Sequence, residues 1–462
     1  MKKYTLVIIG SGSAGLSAAD LAGQLGLGGV ALIEKESVLG GECLHSGCVP
    51  SKALIHAGQA FLDDPVSAWR HVRSSIDTIE KRSDNAEHVM ANGLDVITGD
   101  ATFVDSHTIQ VGDQTIKAKY VLIATGSDPL VPPIPGLEDT PYLTNETFFT
   151  EPSLSKSLAI IGGGPIGCEL AGAAAHLGSQ VTLLQTADRL LPRETPKVSE
   201  AVKRSLEASG VKVVLNAATK KVSRDGESGV VIEYEAGGAN KLTADAVLLA
   251  TGRAPRIKDL ALNKAGVKIS DAGIIVDRYM RTSAKHIYAA GDVTTSPKFT
   301  HLAAQQAGLA LRNMLSGPFK KSTSVLSEVP AITFTMPEVA RVGIDSVAAE
   351  QSPNLYIAHL DYSEIDRAIT DQHEGFIEVV VTKKGIIVGA TVVGPQASEL
   401  LSPLLVAAHH KVPLQKLATT MFAYPTLASG LNILASRYAS ERANRGAVLA
   451  FIRRSWKSSE KK

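Results

Sequence analysis

One pattern occurs twice in this chain, and it constrains the fold more than anything else. Leu6-Val-Ile-Ile-Gly10-Ser-Gly12-Ser-Ala-Gly15 returns as Leu158-Ala-Ile-Ile-Gly162-Gly-Gly164-Pro-Ile-Gly167, with Gly162 lying 152 positions after Gly10. Each copy is a short apolar strand running into G-x-G-x-x-G and then an Ala/Leu-rich helical segment. A second strand follows each copy, Val30-Ala-Leu-Ile-Glu34 and Val181-Thr-Leu-Leu-Gln185. Each unit closes on a matching strand and turn, Val121-Leu-Ile-Ala-Thr125-Gly126 and Val247-Leu-Leu-Ala-Thr-Gly252. A single glycine motif is weak evidence. Two copies, each with its strands and closing turn, predict two Rossmann-like dinucleotide-binding domains of α/β class.

The physics of that turn assigns the glycines. The first (Gly10, Gly162) permits the tight bend, the second (Gly12, Gly164) lets the backbone approach a pyrophosphate, and the third (Gly15, Gly167) allows close helix–strand packing. An acidic residue about 20 positions on accepts ribose hydroxyls. Glu34 holds that place in the first copy and Gln185 in the second. Glutamine does not repel a 2′-phosphate as a carboxylate would, so the second site leans to NADPH; Arg189 is the nearest cation, and NADH stays open. Two dinucleotides in one chain point to electron transfer between a flavin and a nicotinamide.

The first copy is about 25 residues longer than the second. Its extra length holds Gly40-Gly41-Glu-Cys43-Leu-His-Ser-Gly-Cys48-Val-Pro50-Ser-Lys52. Pro50 suits a first helical turn. Cys48 is thereby placed at a helix N-terminus, where the dipole favours thiolate, and Lys52 adds a cation four residues on. The pair reads as redox-active. Metal binding is the rival reading, but a structural zinc site needs four ligands and no second cysteine pair exists. Cys168 reads as a core thiol. His45 is either a local proton donor or a loop-surface histidine, and His409-His410 read as packing or surface residues.

Composition excludes other classes. Lys+Arg 47 against Asp+Glu 46 gives a net charge of +1, which does not fit a nucleic-acid binder. Three cysteines exclude a disulfide-stapled secreted scaffold. Glycines and Asp20 break the N-terminal apolar run, and no later run reaches ~20 apolar residues, so the chain reads as a cytoplasmic enzyme without an integral membrane segment. Residues 66–93 read as one charged amphipathic helix and 95–120 as short strands. Val131-Pro-Pro-Ile-Pro135 reads as a linker, and Gly291-Asp292 is followed by a helical stretch through Leu315. Strands at 331–334, 375–381 and 386–393 with two following helices form a C-terminal α+β domain. The basic tail from Arg442, carrying Val448, Leu449, Phe451, Ile452 and Trp456, is a membrane-surface segment or a solvated or dimer-packed one.

Both G-x-G-x-x-G units, Cys43-Leu-His-Ser-Gly-Cys48-Val-Pro-Ser-Lys52, both Ala-Thr-Gly turns and Gly291-Asp292 together resemble the FAD-dependent pyridine nucleotide–disulfide oxidoreductases. Phe334-Thr-Met-Pro-Glu338-Val-Ala-Arg-Val-Gly343, Gly375-Phe376 and Val392-Val-Gly394-Pro395 extend the resemblance over nearly the whole chain. It implies an FAD domain (1–152 and 278–322), an NAD(P) domain (153–277), and a dimerisation domain with the basic tail (323–462), hence a homodimer. It implies FAD contacts at Gly10, Gly12, Gly15, Glu34, Gly41, Lys52, Thr125, Gly126 and Asp292. NAD(P) contacts would fall on Gly162, Gly164, Gly167, Gln185 and Gly252. It further implies a Lys52–Glu169 pair beside the flavin and a Cys43–Cys48 disulfide fed with electrons from NAD(P)H through FAD. Cys48 would be the flavin-facing thiol, and Cys43 the thiol that attacks a small-molecule acceptor.

Two departures bear on that acceptor. Dihydrolipoyl dehydrogenase and glutathione reductase carry a C-terminal histidine–glutamate pair, whose histidine, from the partner subunit, is the acid–base. This chain has Tyr424 and Ser429 there. A phenol of pKa ~10 is a poor proton shuttle at neutral pH, which argues against ordinary dithiol exchange. Tyr424 is similar to mercuric reductase, whose tyrosine lies at the metal site, yet that enzyme's C-terminal cysteine pair has no counterpart here. Pro165 stands where family members often place an aromatic over the flavin; a bare turn proline is the alternative. The acceptors expected are a soft metal ion, a quinone or a small disulfide. The alternatives are a dihydrolipoyl dehydrogenase with altered acid–base chemistry and a flavin-bearing redox sensor with little turnover.

Overall fold

A computed structural model describes residues 1–60, 64–226, 229–317 and 329–444. The chain forms two compact units, one of residues 1–188 with 209–325, the other of 189–208 with 326–462.

The first unit holds two parallel layers, each built around one repeat. Lys2–Ile9 lies between Val30–Glu34 and Gln114–Ile123, all parallel, with Asp95–Thr98 beyond Val30–Glu34. Ile287–Ala289 adds to the far half of Gln114–Ile123, bringing the later segment back to the first sheet. In the second layer Ser157–Ile161 lies between Gln180–Leu184 and Ala246–Leu249, again parallel, with Lys212–Val214 at one edge. The next strand in sequence joins one side of each first strand and a later strand joins the other, so both glycine turns sit at topological switch points, where α/β sheets open a crevice. Val30–Glu34 is buried throughout, as expected of a strand covered on both faces.

The helices after the glycine turns owe their close packing to small residues. Ser13–Gln24 buries Ala14, Gly15, Ala18, Ala19 and Ala22; Pro165–His176 buries Gly167, Ala171, Ala173 and Ala174. The helix Cys48–Ala60 buries Ala53, Leu54, Ala57 and Gly58. A methyl on Gly58 would lie 3.3 Å from His176 Cβ and 3.4 Å from the Ala173 carbonyl, so this helix and Pro165–His176 touch almost backbone to backbone. That contact brings the loop of the first repeat against the helix of the second.

Two expectations need correction. The segment 66–93 is two helices, Pro65–Arg82 and Ala86–Ala91, because Asn85 adopts extended backbone and its side chain caps the second through His88 N. The C-terminal sheet has five strands in the order Ala331–Thr333, Glu338–Gly343, Ile387–Gly394, Phe376–Thr382, Leu355–Asp361, so two strands escaped the reading. Helices Ala397–His409 and Ser429–Asn444 supply residues to its core. The fully buried Tyr362 explains Gly394, where any side chain would strike its ring at 2.5 Å. The hydrophobic tail residues Val448 to Trp456 lie outside the described residues. No described helix is long and apolar enough to cross a membrane.

Candidate active site

The two glycine turns repeat one another in the carbonyls they touch. A Cβ on Gly10 would lie 2.5 Å from the Ala124 carbonyl, and one on Gly162 2.3 Å from the Ala250 carbonyl, so each first glycine backs onto its own Ala-Thr-Gly turn. A Cβ on Gly15 or Gly167 would lie 1.8 or 1.9 Å from the carbonyl of the first glycine. At Gly12 and Gly164 the same test meets nothing within 4 Å. Each turn therefore has two glycines locked by packing and one facing open space, the form of a cradle for a pyrophosphate. The strand-end residues match too. Glu34 Oε2 accepts from Ser11 N at 2.8 Å, and Gln185 Oε1 from Gly163 N at 2.9 Å, the same backbone position in both turns.

The first cradle has more around it. Gly41, at φ +58°, backs onto Gly12, where a Cβ would meet Gly12 Cα at 2.7 Å. Asp292 Oδ2 accepts from Ser127 Oγ at 2.8 Å, next to Gly126, and Thr125 Oγ1 donates to the Arg256 carbonyl. Arg253, directly after Gly252, donates to Ser127 Oγ at 2.8 Å and pairs with Glu42. Asn145 also donates to Glu42, at 2.7 Å. Burial pushes the Glu42 carboxyl up to about 7, against the pull of Arg253. This network pins the loop before Cys43 to the closing turns of both repeats. The sequence reading missed Glu42, Ser127, Asn145 and Arg253; Ser127 and Arg253 each directly follow an Ala-Thr-Gly turn and Glu42 directly precedes Cys43, whereas Asn145 carried no signal.

Cys48 opens the helix Cys48–Ala60, with Pro50 in its first turn, and Cys43 lies in the preceding short helix Gly41–His45. Both are thiols in this structure. The hydrogen bond from Cys43 is the largest influence lowering the Cys48 thiol to about 6, helped by Thr300 and the Lys52 charge and opposed by burial and Glu169. Cys43 is pushed the other way, by that same hydrogen bond and by burial. The reduced pair thus places its negative charge on Cys48. Lys52 Nζ donates to Glu169 Oε2 at 2.8 Å, and Glu169 is only 7% exposed, so it is no solvated helix carboxylate.

Thr300, which no motif singled out, lies 3.3 Å from Cys48 Sγ and 3.5 Å from Cys43 Sγ through its hydroxyl. His45 Nε2 lies 2.6 Å from the Leu39 carbonyl, which commits that nitrogen to closing the loop. Cys168 is fully buried. Pro165 is the first residue of its helix, after Gly164 in extended backbone, as a turn proline should be. In the second unit, Tyr424 is 74% exposed and its hydroxyl donates to Asp366 Oδ2 at 2.9 Å, which raises its pKa further. His409 ends the helix Ala397–His409, its ring edge-on to that of His410. Among the described residues no cluster of three or more His, Cys, Asp or Glu is placed to hold a metal ion.

Fold and site together define an oxidoreductase built on two dinucleotide turns and one dithiol. Residues 4–307 match the family described as pyridine nucleotide-disulphide oxidoreductase, and residues 329–435 match its dimerisation domain. The mercuric reductase of Staphylococcus aureus is 34% identical over 454 residues, covering 94% of this chain and 82% of that protein. The dihydrolipoyl dehydrogenase of Geobacillus stearothermophilus is 34% identical, covering 91% of this chain and 93% of that one. Among solved structures, the HOCl-induced flavoprotein disulfide reductase RclA from Escherichia coli, as a Cu(II) complex, aligns with a TM-score of 0.86 and 31% identity, over 94% of this chain and 99% of that chain. The chain belongs to the pyridine nucleotide-disulphide oxidoreductases, FAD-dependent enzymes that draw on a pyridine nucleotide.

Proposed function

We propose that this protein is a cytoplasmic homodimer that oxidises NAD(P)H and passes the electrons through Cys43 and Cys48 to a soft metal ion, a quinone or a small disulfide. The observation that carries the reading is the polarised dithiol: one sulfur at a helix start with Lys52 and Thr300 beside it, the other held protonated. The open space at Gly12, with Gly41 behind it and Asp292 nearby, supports FAD in the first cradle, held by Gly10, Gly12, Gly15, Glu34, Gly41, Lys52, Thr125, Gly126 and Asp292. The second cradle would take the pyridine nucleotide on Gly162, Gly164, Gly167, Gln185 and Gly252. The corresponding division is an FAD domain of 1–152 and 278–322, an NAD(P) domain of 153–277 and a dimerisation domain from 323.

Bound FAD supplies a two-electron carrier between the nicotinamide and the dithiol. The chain's own residues do the rest. Lys52 is oriented by Glu169 and holds positive charge near Cys48. Cys48 carries the thiolate, and Cys43 presents its sulfur to the acceptor. As the sulfur–sulfur bond forms from the Cys48 thiolate and the Cys43 thiol, the pair gives up two electrons to the acceptor and the single proton held by Cys43. Tyr424, its hydroxyl engaged by Asp366, is a poor proton acceptor at neutral pH, which disfavours dihydrolipoamide-type exchange. The names of two relatives, a mercuric reductase and a reductase solved with Cu(II), support a soft metal as acceptor.

The test is steady-state NADPH oxidation by FAD-loaded protein across Hg²⁺, a quinone, a small disulfide and lipoamide. Turnover with one of the first three should exceed lipoamide turnover at least tenfold. Lipoamide turnover equal to the best of them would make the protein a dihydrolipoyl dehydrogenase, and negligible turnover throughout would make it a sensor. Gln185 gives a separate expectation. Its Oε1 is already engaged by Gly163 N, and a carboxylate in its place keeps that bond while adding a charge against a 2′-phosphate. Gln185→Glu should shift the NADPH/NADH ratio of kcat/KM toward NADH by about tenfold or more. An unchanged ratio would show that this residue does not read the 2′ position.

A further inference from the structure

The described hydrogen-bond partners of the Cys43 sulfur are Cys48, Thr300 and Ser13. Apart from the Cys48 thiolate itself, none is a base at neutral pH. Yet Cys43 must become a thiolate to attack, while the reduced pair keeps its charge on Cys48. Thr300 is the hydroxyl within hydrogen-bond range of both sulfurs, at 3.3 and 3.5 Å. It is fixed in place as the first residue of the 16-residue helix Thr300–Leu315, and its neighbours Phe299 and His301 stack ring on ring at 5.4 Å. A threonine hydroxyl carries one proton, so it donates to one sulfur at a time.

We propose that Thr300 is a catalytic residue whose single hydroxyl proton follows the negative charge from Cys48 to Cys43, letting the thiolate change sulfurs without an external base. The step is balanced. The proton leaves the Cys43 sulfur and arrives on the Cys48 sulfur, and the Thr300 O–H turns from Cys48 to Cys43. No electron is gained or lost, and the net charge of the three groups is unchanged. The groups facing the sulfurs are Ser13 from the first glycine turn, Lys52 from the helix of Cys48 and Glu169 from the helix Pro165–His176. Lys52 and Glu169 act on Cys48 in opposite senses and Ser13 acts on Cys43, so Thr300 is the hydroxyl that can serve either sulfur as the charge moves. Hydrogen bonding to a thiolate lowers its pKa, and Thr300 lowers both thiols.

The proposal rests on the assignment of Cys43 and Cys48 above, and its test separates the two. Wild-type, Thr300→Val, Thr300→Ala and Thr300→Ser proteins are loaded with FAD and reduced anaerobically with NADPH. Two quantities are read: the pH midpoint of the long-wavelength thiolate-to-flavin band, and the rate of Cys43 alkylation by iodoacetamide at pH 7, located by peptide mass. Thr300→Val and Thr300→Ala should raise the midpoint by about one pH unit and slow Cys43 alkylation about tenfold. Thr300→Ser should restore both to within twofold of wild type. An unmoved midpoint with unchanged alkylation overturns the proposal. So does a Thr300→Ser protein that behaves like Thr300→Val, since the methyl group and not the hydroxyl would then matter. A wild-type protein without the band overturns the cysteine assignment and this proposal with it.

Discussion

Cys48→Ser is expected to abolish the long-wavelength thiolate-to-flavin band of the NADPH-reduced protein and to lower acceptor turnover by about a thousandfold or more. The reason is chemical: a serine hydroxyl stays protonated at neutral pH and does not form the disulfide that carries electrons onward. Cys43→Ser should block turnover as well but keep the band, because the charge sits on Cys48. In the wild-type protein the band depends on pH in a fixed direction. The Cys48 thiol is lowered to about 6, so the thiolate persists through neutral pH and is lost as pH falls through that value. A band that survives in Cys48→Ser, or that vanishes only in Cys43→Ser, would reverse the roles of the two sulfurs.

The second large effect separates two glycines three positions apart. Gly15→Ala places a methyl 1.8 Å from the Gly10 carbonyl, inside the backbone of the turn itself. The helix cannot move away without breaking its close packing on the sheet. Gly15→Ala is expected to cost several kcal/mol, on the order of severe overpacking, and to give little folded protein. Gly12→Ala meets nothing within 4 Å. It should fold with a thermal transition near that of the wild-type apoprotein yet retain FAD poorly, because the methyl occupies the space a pyrophosphate needs. Thermal unfolding of the apoproteins and FAD content after reconstitution read the two effects apart. Normal FAD retention by folded Gly12→Ala would show that the pyrophosphate lies elsewhere.

What the sequence made legible follows from how local each signal is. The two glycine turns, the Ala-Thr-Gly closures and the Cys48–Lys52 spacing are short-range patterns whose geometry is set within one strand–turn–helix unit. Their structural partners were therefore predictable. Lys52 and Glu169, 117 residues apart, were paired only through resemblance, and the structure brings them to 2.8 Å because small residues let their two helices pack closely. Thr300 carries no such mark. It sits 252 residues from Cys48 in sequence, and only the return of Ile287–Ala289 to the first sheet delivers it to the sulfurs. The Glu42–Arg253 pair spans 211 residues and depends on both repeats being folded. In the C-terminal sheet, Glu338–Gly343 escaped notice because Pro337 stands directly before it and Glu338 and Arg341 leave only short apolar pieces. Leu355–Asp361 escaped because its alternation is weak and His359 lies in its middle. The break in 66–93 was readable from Asn85 as a helix cap but was outweighed by the charged periodicity on either side.

The most direct test is an anaerobic titration of the purified, FAD-loaded protein with NADPH, following the full visible spectrum and the number of thiols that react with a maleimide. One equivalent should bring up the long-wavelength band while the flavin stays largely oxidised, and two further thiols should become reactive per chain. Bleaching of the flavin with no such band and no gain in thiols would mean that Cys43 and Cys48 do not stand in the path of the electrons.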